Sequence, residues 1–345
     1  MSNPQTTAYG DIGTRSGVAL EKAFLKRAQN FLILERFGQV SVQERNKGTT
    51  RKFREIKSLS ITNALTPVVE GVTPDGQKIV TRDVPVSLDQ YADLVRTTDK
   101  IDDVHEDGKA ILAELNDLCA EQAALIVETL RYNVLKAGTN VFFAGAVEAR
   151  ADVDAVITLG DIRRVERMFM RVGASTISKI VSPTANYGTE PVAPAFFAIG
   201  HTDLASDIRG IEGFVSVEKY AQPGKEMPGE IGKVETTRFI LSRNFSPWIK
   251  AGKTGTTLLA DGVIPDETTK CDVYPILFFA QNAFGMVPLQ GFQSIDLKVR
   301  KVGSVDSSDP LGQTGSVGWK TWQACVILND LFMARLEVGA TAVPE

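Results

Sequence analysis

The residues best suited to chemistry in this sequence are few and scattered. Of 345 residues only 2 are histidine, His105 and His201. His105 lies in an acidic stretch that is typical of a solvated helix start, and His201 begins the short polar run His-Thr-Asp203. A zinc site would need further ligands at close spacing, such as a second histidine four residues away, and none follows. Both histidines are therefore interpreted as structural or solvated side chains.

Two short motifs match parts of known catalytic or nucleotide-binding sites. Ala251-Gly-Lys-Thr254 matches the end of a phosphate-binding loop, but Pro247 replaces the first glycine of that loop and has no N–H to offer a phosphate. Ser216-Val-Glu-Lys219 and Lys253-Thr-Gly255 match two of the three motifs of serine β-lactamases. The middle motif is missing between them, and Ser216 falls in a strand-like alternation. Neither pattern predicts a site.

Carboxylates form two candidate groups. Asp99, Asp102 and Asp103 are close enough in sequence to bind a cation, but acidic residues are also expected at a helix start because they complement its dipole. Glu70 and Asp75 have the residue types of a glycosidase pair, and nothing in the surrounding sequence supports that role. The sequence thus predicts no catalytic residue, no cofactor and no metal, and it indicates a structural protein.

The longest predicted element is an amphipathic helix from Thr98 to Gly138, in which Gly138 supplies a left-handed stop. Apolar residues recur along it at steps of three and four, which places them on one face. Two adjacent rows of this face are predicted to be buried: Ile101, Val104, Ile111, Leu115, Leu118 and Gln122, and beside them Leu112, Cys119, Ala123, Ile126, Leu130 and Val134. At 1.5 Å per residue the helix would span roughly 45 to 60 Å, so we expect a spine along which other elements lie.

Residues 48–93 predict a long two-stranded excursion from the rest of the chain. Arg51–Lys57 and Ile79–Leu88 alternate like strands, and Pro74-Asp75-Gly76 between them is a turn signal. The segment is rich in Arg, Lys and Glu and poor in apolar residues, so we expect that it cannot bury itself. An isolated ribbon is at best marginally stable in water. The ribbon is therefore predicted to lie on another molecule.

The remaining elements predict a mixed α+β fold with an antiparallel sheet. A second helix is predicted to begin at Asp161, as its cap, and to end at Gly173. Strands are predicted at residues 177–181, 239–241, 271–279 and 295–302, and residues 319–338 are predicted to form two strands joined at Asn329-Asp330.

Composition limits the class of protein. The chain is 43% hydrophobic and 23% charged, which is typical of a globular protein. Its net charge of −4 argues against a dedicated nucleic-acid binder, although passive contact with DNA stays open. Cys119, Cys271 and Cys325 are isolated, which favours free thiols in a reducing compartment. The polar N-terminus, which has no apolar run, is not expected to be a secretion signal, and no apolar run approaches the ~20 residues of a membrane helix.

An ordered set of short motifs resembles one protein family. The motifs are Glu70-Gly-Val-Thr-Pro-Asp-Gly76, Gln90-Tyr91, the helix start Thr98-Asp99, His201-Thr-Asp-Leu204 with Asp207-Ile208, Gly229-Glu-Ile-Gly232, Asp309-Pro-Leu-Gly312, Gly318-Trp-Lys320 and Ile327-Leu-Asn329. In this order and spacing, from about residue 48 to 338, the chain resembles the major capsid proteins of tailed bacteriophages like the N-four podovirus. Thr202 departs from the proline that the family has after the histidine, which affects only a loop.

The resemblance implies an α+β fold, the Hong Kong ninety-seven-type capsid fold. That fold has an N-terminal arm, an extended β-hairpin loop, a peripheral domain with a long spine helix, and an axial domain. On this basis the chain is expected to divide into residues 1–47 (arm), 48–93 (extended loop), 94–145 (peripheral domain with the spine helix), 146–272 (axial domain) and 273–345 (strands that return to the peripheral domain).

The same resemblance implies a function. The protein is expected to self-assemble into hexamers and pentamers of an icosahedral phage head that encloses DNA, and not to be an enzyme. Extended-loop residues are expected to contact a neighbouring subunit: Glu70, Gly71, Pro74, Asp75 and Gly76. The expected partners are a separate scaffolding protein, a portal and packaged DNA held non-specifically, with no membrane. Assembly is expected in the bacterial host cytoplasm and the final location is the virion.

Two alternative functions stay open at this point. One is a soluble enzyme such as a glycoside hydrolase that uses Glu70 or Asp75. The other is a different component of the virion, such as a tail or decoration protein. Imaging of the purified protein would distinguish closed shells from small enzymes and from tubes or rings.

Overall fold

The structure is a computed structural model that describes residues 32–62, 65, 67, 70–71, 73, 76–99, 108–181, 189–220, 227–263, 268–289, 295–305 and 309–342. His105, Asp102, Asp103, Pro74 and Asp75 lie outside these residues, as does most of the predicted N-terminal arm.

The described residues contain three α-helices and sixteen strands. The helices are Gly108–Lys136 (α1), Leu159–Val172 (α2) and Ala205–Arg209 (α3). The strands are Gln39–Val40 (β1), Thr50–Ile56 (β2), Thr81–Ser87 (β3), Asp89–Thr98 (β4), Val141–Phe143 (β5), Ile177–Val181 (β6), Thr189–Gly200 (β7), Val215–Ser216 (β8), Glu230–Val234 (β9), Thr237–Leu241 (β10), Tyr274–Phe279 (β11), Phe284–Met286 (β12), Asp296–Arg300 (β13), Thr314–Gln323 (β14), Cys325–Ile327 (β15) and Met333–Val338 (β16). The strands predicted at residues 177–181, 239–241 and 295–302 are confirmed as β6, β10 and β13, whereas the strand predicted at 271–279 begins only at Tyr274. Residues 319–338 contain the end of β14, β15 and β16, so the break at Asn329-Asp330 is confirmed and the prediction of two strands is wrong by one strand.

An eight-stranded mixed sheet forms the largest layer, in the order β5-β16-β11-β7-β10-β9-β8 with β6 paired to β7. Its central strands are covered on both faces. Successive side chains of a strand point to opposite sides, so each of these strands has buried side chains on either face. On β11, Ile276 and Phe278 pack with α2, whereas Leu277 and Phe279 pack with the C-terminal end of α1. This explains why residues 274–279 are apolar throughout instead of alternating.

Helix α1 lies across a second sheet of three strands, in the order β13-β14-β4. Small residues on the helix, including Ala120 and Ala123, are fully buried against Val317 and Trp319 of β14. The spine helix is thus confirmed from residue 108 onward, and its predicted first turns lie outside the described residues. The predicted face is wrong in part, since Leu118 is 59% exposed and Val134 is exposed as well. The buried face instead includes polar side chains.

The end of α1 differs from the prediction. Gly138 does not have a positive φ, so it is not a left-handed stop. The Arg335 guanidinium donates to the carbonyl oxygens of Lys136, the last helical residue, and of Gly138 just beyond it, which satisfies carbonyls that have no partner within the helix. A Cβ at Gly138 would meet the terminal methyl of Met333, a flexible group that would have to shift.

Helix α2 begins and ends with specific caps. Thr158 is its N-cap, and Asp161 completes a capping box by accepting a hydrogen bond from the Thr158 N–H at 3.2 Å. The prediction that Asp161 is itself the cap is therefore wrong by three positions. Gly173 ends the helix with φ 76°, as predicted.

A buried carboxylate on α1 holds the segment that precedes β1. Glu128 Oε1 accepts hydrogen bonds from the backbone N–H of Ile33 at 3.2 Å and Leu34 at 2.9 Å. Close by, buried Arg131 forms an ion pair with buried Glu35 at 3.3 Å. Burial raises the pKa of Glu128 from its ordinary value of 4.5 to about 7, against the opposing effect of these hydrogen bonds and of Arg131.

Because the pKa of Glu128 is higher in the folded state, the folded protein binds this proton more tightly than the unfolded chain does. Stability from this group is therefore lost as pH rises from about 4.5 to about 7, and it stays lost above that range. Glu128→Gln keeps an acceptor for Ile33 and Leu34 but cannot ionise. We expect the variant to gain stability relative to wild type between pH 5 and pH 8, by on the order of 2 kcal/mol.

Chemical denaturation of the dissociated subunit at both pH values measures this difference. An equal free-energy difference between variant and wild type at pH 5 and pH 8 would show that Glu128 does not titrate in this range.

Candidate assembly surfaces

Strands β2 and β3 form the predicted extended hairpin. They pair antiparallel from Thr50↔Ser87 to Ile56↔Thr81, and the Lys57 N–H continues the ladder by donating to the Val80 carbonyl at 2.9 Å. This two-stranded sheet shares no strand with the other sheets of the described residues. The predicted two-stranded hairpin is thus confirmed as a sheet of its own.

The predicted contact residues lie beyond the paired part of this hairpin. Glu70, Gly71 and Gly76 are exposed, whereas Pro74 and Asp75 are outside the described residues. Gly71 has φ +81°, a conformation that side chains other than glycine rarely adopt. No described atom would contact a Cβ at Gly71 or Gly76. Contact of these residues with a second subunit stays a prediction.

Cross-strand ion pairs fix the register of the hairpin. Arg54 donates two hydrogen bonds to the Asp83 carboxylate, at 2.8 and 2.9 Å. The hydrogen bond from Arg54 lowers the pKa of Asp83, and the same contact raises the pKa of Arg54. Both side chains are solvent-exposed, so the pair specifies geometry and adds little stability.

The base of the hairpin packs on its own chain. Phe53, Val86 and Leu88 are buried with Val287, which follows β12. The Phe53 ring covers Gly285 so closely that a Cβ at Gly285 would lie 2.6 Å from its Cζ. The near end of the ribbon is therefore part of an intramolecular core, which the sequence did not predict.

The far end of the hairpin is apolar and exposed. Leu59, Ile61 and Leu65 are 60%, 71% and 74% exposed, which corrects the expectation that the ribbon is poor in apolar residues. Among the described residues of this end, the exposed large apolar side chains are Ile56, Leu59, Ile61, Leu65, Ile79 and Val80, which we call the distal apolar patch. Apolar exposure of this extent favours an interaction surface. In the sequence, the only sign of this apolar end is the alternation of Leu59 and Ile61 with the serines Ser58 and Ser60.

A second projecting loop joins β13 to β14. The Asp309 carboxylate accepts hydrogen bonds from the backbone N–H of Gln313 at 3.1 Å and of Thr314 at 2.8 Å, and from the Thr314 hydroxyl. Hydrogen bonds from Thr314 are the main cause that lowers the pKa of Asp309. Leu311 at the loop surface is 78% exposed. The motif Asp309-Pro-Leu-Gly312 thus forms a loop that presents an apolar side chain to solvent.

His201, one of the residues considered for chemistry, makes contacts within its own turn and with Tyr274. His201 Nδ1 accepts a hydrogen bond from the Asp203 N–H at 3.2 Å, and its ring lies 5.5 Å from the ring of Tyr274. The Tyr274 hydroxyl in turn donates to Asp203 at 2.8 Å. This confirms His201 as a hydrogen-bonding residue of a turn.

The phosphate-loop and β-lactamase patterns are not assembled into sites. Lys253 Nζ forms an ion pair with Asp154 at 2.5 Å, and its hydrogen bond to that carboxylate raises the pKa of Lys253. Gly252 lies against Cys271 and the Val153 carbonyl. Ser216 lies in strand β8, as its alternation predicted.

Among the described residues, no group of three or more His, Cys, Asp or Glu side chains is placed to hold a metal ion. No helix within the described ranges has the length and apolarity to cross a membrane. The three cysteines are free thiols.

Comparison with solved structures identifies the fold. The capsid of Ralstonia phage GP4 matches with a TM-score of 0.61 at 13% identity, covering 90% of this chain and 91% of that one. The head of Helicobacter pylori bacteriophage KHP40 matches with a TM-score of 0.56 at 10% identity over 87% of each chain. The cyanophage Pam1 capsid matches with a TM-score of 0.53 at 14% identity, covering 91% of this chain and 92% of that one. The chain has the Hong Kong ninety-seven-type fold of tailed-phage capsid proteins.

A sequence relative agrees with this class. The major capsid protein of Pseudomonas phage KPP21 is 26% identical in an alignment of 229 residues, and the match covers 62% of this chain and 56% of that protein. The matching segment therefore spans little more than half of the relative's length. No protein-family model matches the sequence. The resemblance to phage major capsid proteins that the ordered motifs indicated is confirmed.

The division of the hairpin into a packed base and an uncovered far end is testable with matched valines. Val86 is 6% exposed and Val80 is 54% exposed. We expect Val86→Ala to lower the free energy of unfolding of the dissociated subunit by roughly 2 kcal/mol, because a buried side chain leaves a cavity. Val80→Ala is the control and should change it by less than about 0.5 kcal/mol. Equal effects in denaturant titrations would contradict the division.

Proposed function

We propose that this chain is the major capsid protein of a tailed bacteriophage. Its copies associate into hexamers and pentamers of an icosahedral head that encloses DNA. The role is structural, and the mechanism is association through shared surfaces without turnover. The fold of the described residues and the relationship to a phage major capsid protein support this proposal.

The observation that carries the proposal is the distal apolar patch on a hairpin with a packed base. Full burial of one large apolar side chain contributes about 1.5 to 3 kcal/mol, whereas ordering one backbone residue costs about 1 to 2 kcal/mol. Covering the patch with a second molecule therefore offsets part of the cost of ordering this segment, and the rest must come from the remainder of the contact. We infer that this molecule is a second copy, and that Glu70, Gly71, Pro74, Asp75 and Gly76 lie in the same contact.

The remaining partners follow from the role. A separate scaffolding protein and a portal direct assembly in the bacterial host cytoplasm, and the finished location is the virion. Packaged DNA is held non-specifically. The expected arm, extended loop, peripheral domain and axial domain are proposed with the boundaries given above.

The glycoside hydrolase alternative has little support. Glu70 is an exposed residue of the far hairpin, outside any core that would shield a reacting carboxylate from water. A tail or decoration role would use the same patch in a different assembly, and particle shape distinguishes it.

The test removes apolar character from the patch. In the double variant Leu59→Ser/Ile61→Ser, both changes fall on exposed side chains, so the thermal melting of the dissociated subunit should stay within about 2 °C of wild type. Assembly should fail or give fragile partial shells, because the contact between copies loses its apolar centre. Negative-stain imaging and sedimentation measure the outcome.

A matched control removes the same kind of surface elsewhere. Ile249→Ser/Val263→Ser changes two exposed apolar residues that are distant in sequence from the hairpin, and it should leave shells intact. Sturdy shells from the hairpin variant would show that the patch is not a main contact. Tubes, rings or a small discrete species from the wild-type protein would reject the capsid role itself.

A further inference from the structure

Helix α2 has an outward face made of arginines. Its opposite side buries Ile162, Val165 and Phe169 against the eight-stranded sheet. Arg163, Arg167 and Arg171 follow one another at steps of four residues, with Arg164 beside them, and we call these four the arginine face. At 1.5 Å per residue the row spans roughly 12 Å.

Two of these arginines have acidic neighbours in the same chain. Arg163 forms an ion pair with Glu235 at 2.6 Å, and Arg164 lies 3.4 Å from Asp161 and over the ring of Phe142. Arg167 and Arg171 are exposed, and within the described part of the chain neither has an ion pair or side-chain hydrogen bond. The face is thus a local positive surface on a chain whose net charge is −4.

The chemistry of the face favours phosphates. All four cations are arginines, whose planar guanidinium groups donate paired hydrogen bonds to phosphate oxygens. A linear row suits a polymer with regularly spaced charges, and double-stranded DNA has one negative charge per about 1.7 Å of its axis. Three carboxylates that a second copy could offer, Asp83, Asp154 and Glu235, already have partners in their own chain.

We propose that the arginine face binds the phosphate backbone of double-stranded DNA, with Arg167 and Arg171 as the main contacts. The contact is independent of base sequence because it reaches no base edge. This inference rests on the proposed function, since it assigns the arginine face to the inner side of the head, against the packaged genome. Net negative charge over the rest of the chain keeps the binding weak, so that DNA can move during packaging and release.

The test compares two double variants with equal change in charge. Arg167→Gln/Arg171→Gln alters the proposed contacts, and Lys250→Gln/Lys298→Gln removes two exposed lysines elsewhere. Full-length dissociated subunits are titrated onto a fluorescent 30-base-pair duplex at several salt concentrations. The arginine variant should bind at least about tenfold more weakly at low salt, and its slope of log K against log salt should fall by roughly 2. The lysine variant should retain the wild-type affinity.

Imaging of shells from both variants completes the test. Normal shells together with lost DNA affinity in the arginine variant support the proposal. Equal loss in both variants, or no salt-dependent binding by wild type, overturns it, since only net charge or no site at all would be present. Unchanged DNA affinity with failed assembly also overturns it, and assigns the face to a contact between copies. Absence of shells from wild type would reject the proposed function, while the titration still decides whether the face binds DNA.

Discussion

The far end of the β2–β3 hairpin exposes apolar side chains that the described part of its own chain does not cover. Phe53 and Val86 fix the hairpin's base in a small core, so its direction is set by packing. Within the described residues, β2 and β3 pair with each other and with no further strand. An isolated two-stranded ribbon is at best marginally stable in water, and exposed apolar surface favours contact with another molecule. The far end of the hairpin is therefore the part of the described chain to which we assign the contact between copies.

A rigid frame is needed to present such a hairpin. Helix α1 supplies it by packing on two sheets at once. Its Ala120–Val127 region lies on the three-stranded sheet, and Leu135 near its end packs with the large sheet. Buried Glu128 and Arg131 connect the helix to the segment that leads into β1, and β1 pairs with β12 beside the hairpin base. Through these contacts, the packing of the core determines the orientation of the hairpin.

Local signals in the sequence predicted much of this arrangement. The alternating pattern on both sides of Pro74-Asp75-Gly76 predicted the two strands of the hairpin, and Gly173 predicted where α2 ends. The buried face of α1 was harder, because apolar periodicity selected Leu118, which is exposed.

The burial of Glu128 depends on partners 94 and 95 residues away, and no local pattern reveals such pairs. Gly138 was assigned a turn role, whereas Arg335, distant in sequence, completes that helix end. The arginine face of α2 is visible as a four-residue spacing only once the buried side of the helix is known.

Hydrogen exchange gives the most direct measurement of the central claim. Amides of residues 57–80 are compared in the dissociated subunit and in assembled shells, with the amides of Ala120–Val127 in α1 as an internal reference. We expect fast exchange of residues 57–80 in the subunit and strong protection in the shell, with α1 protected in both states. Equal protection of residues 57–80 in the two states would contradict the claim that a second copy covers the hairpin.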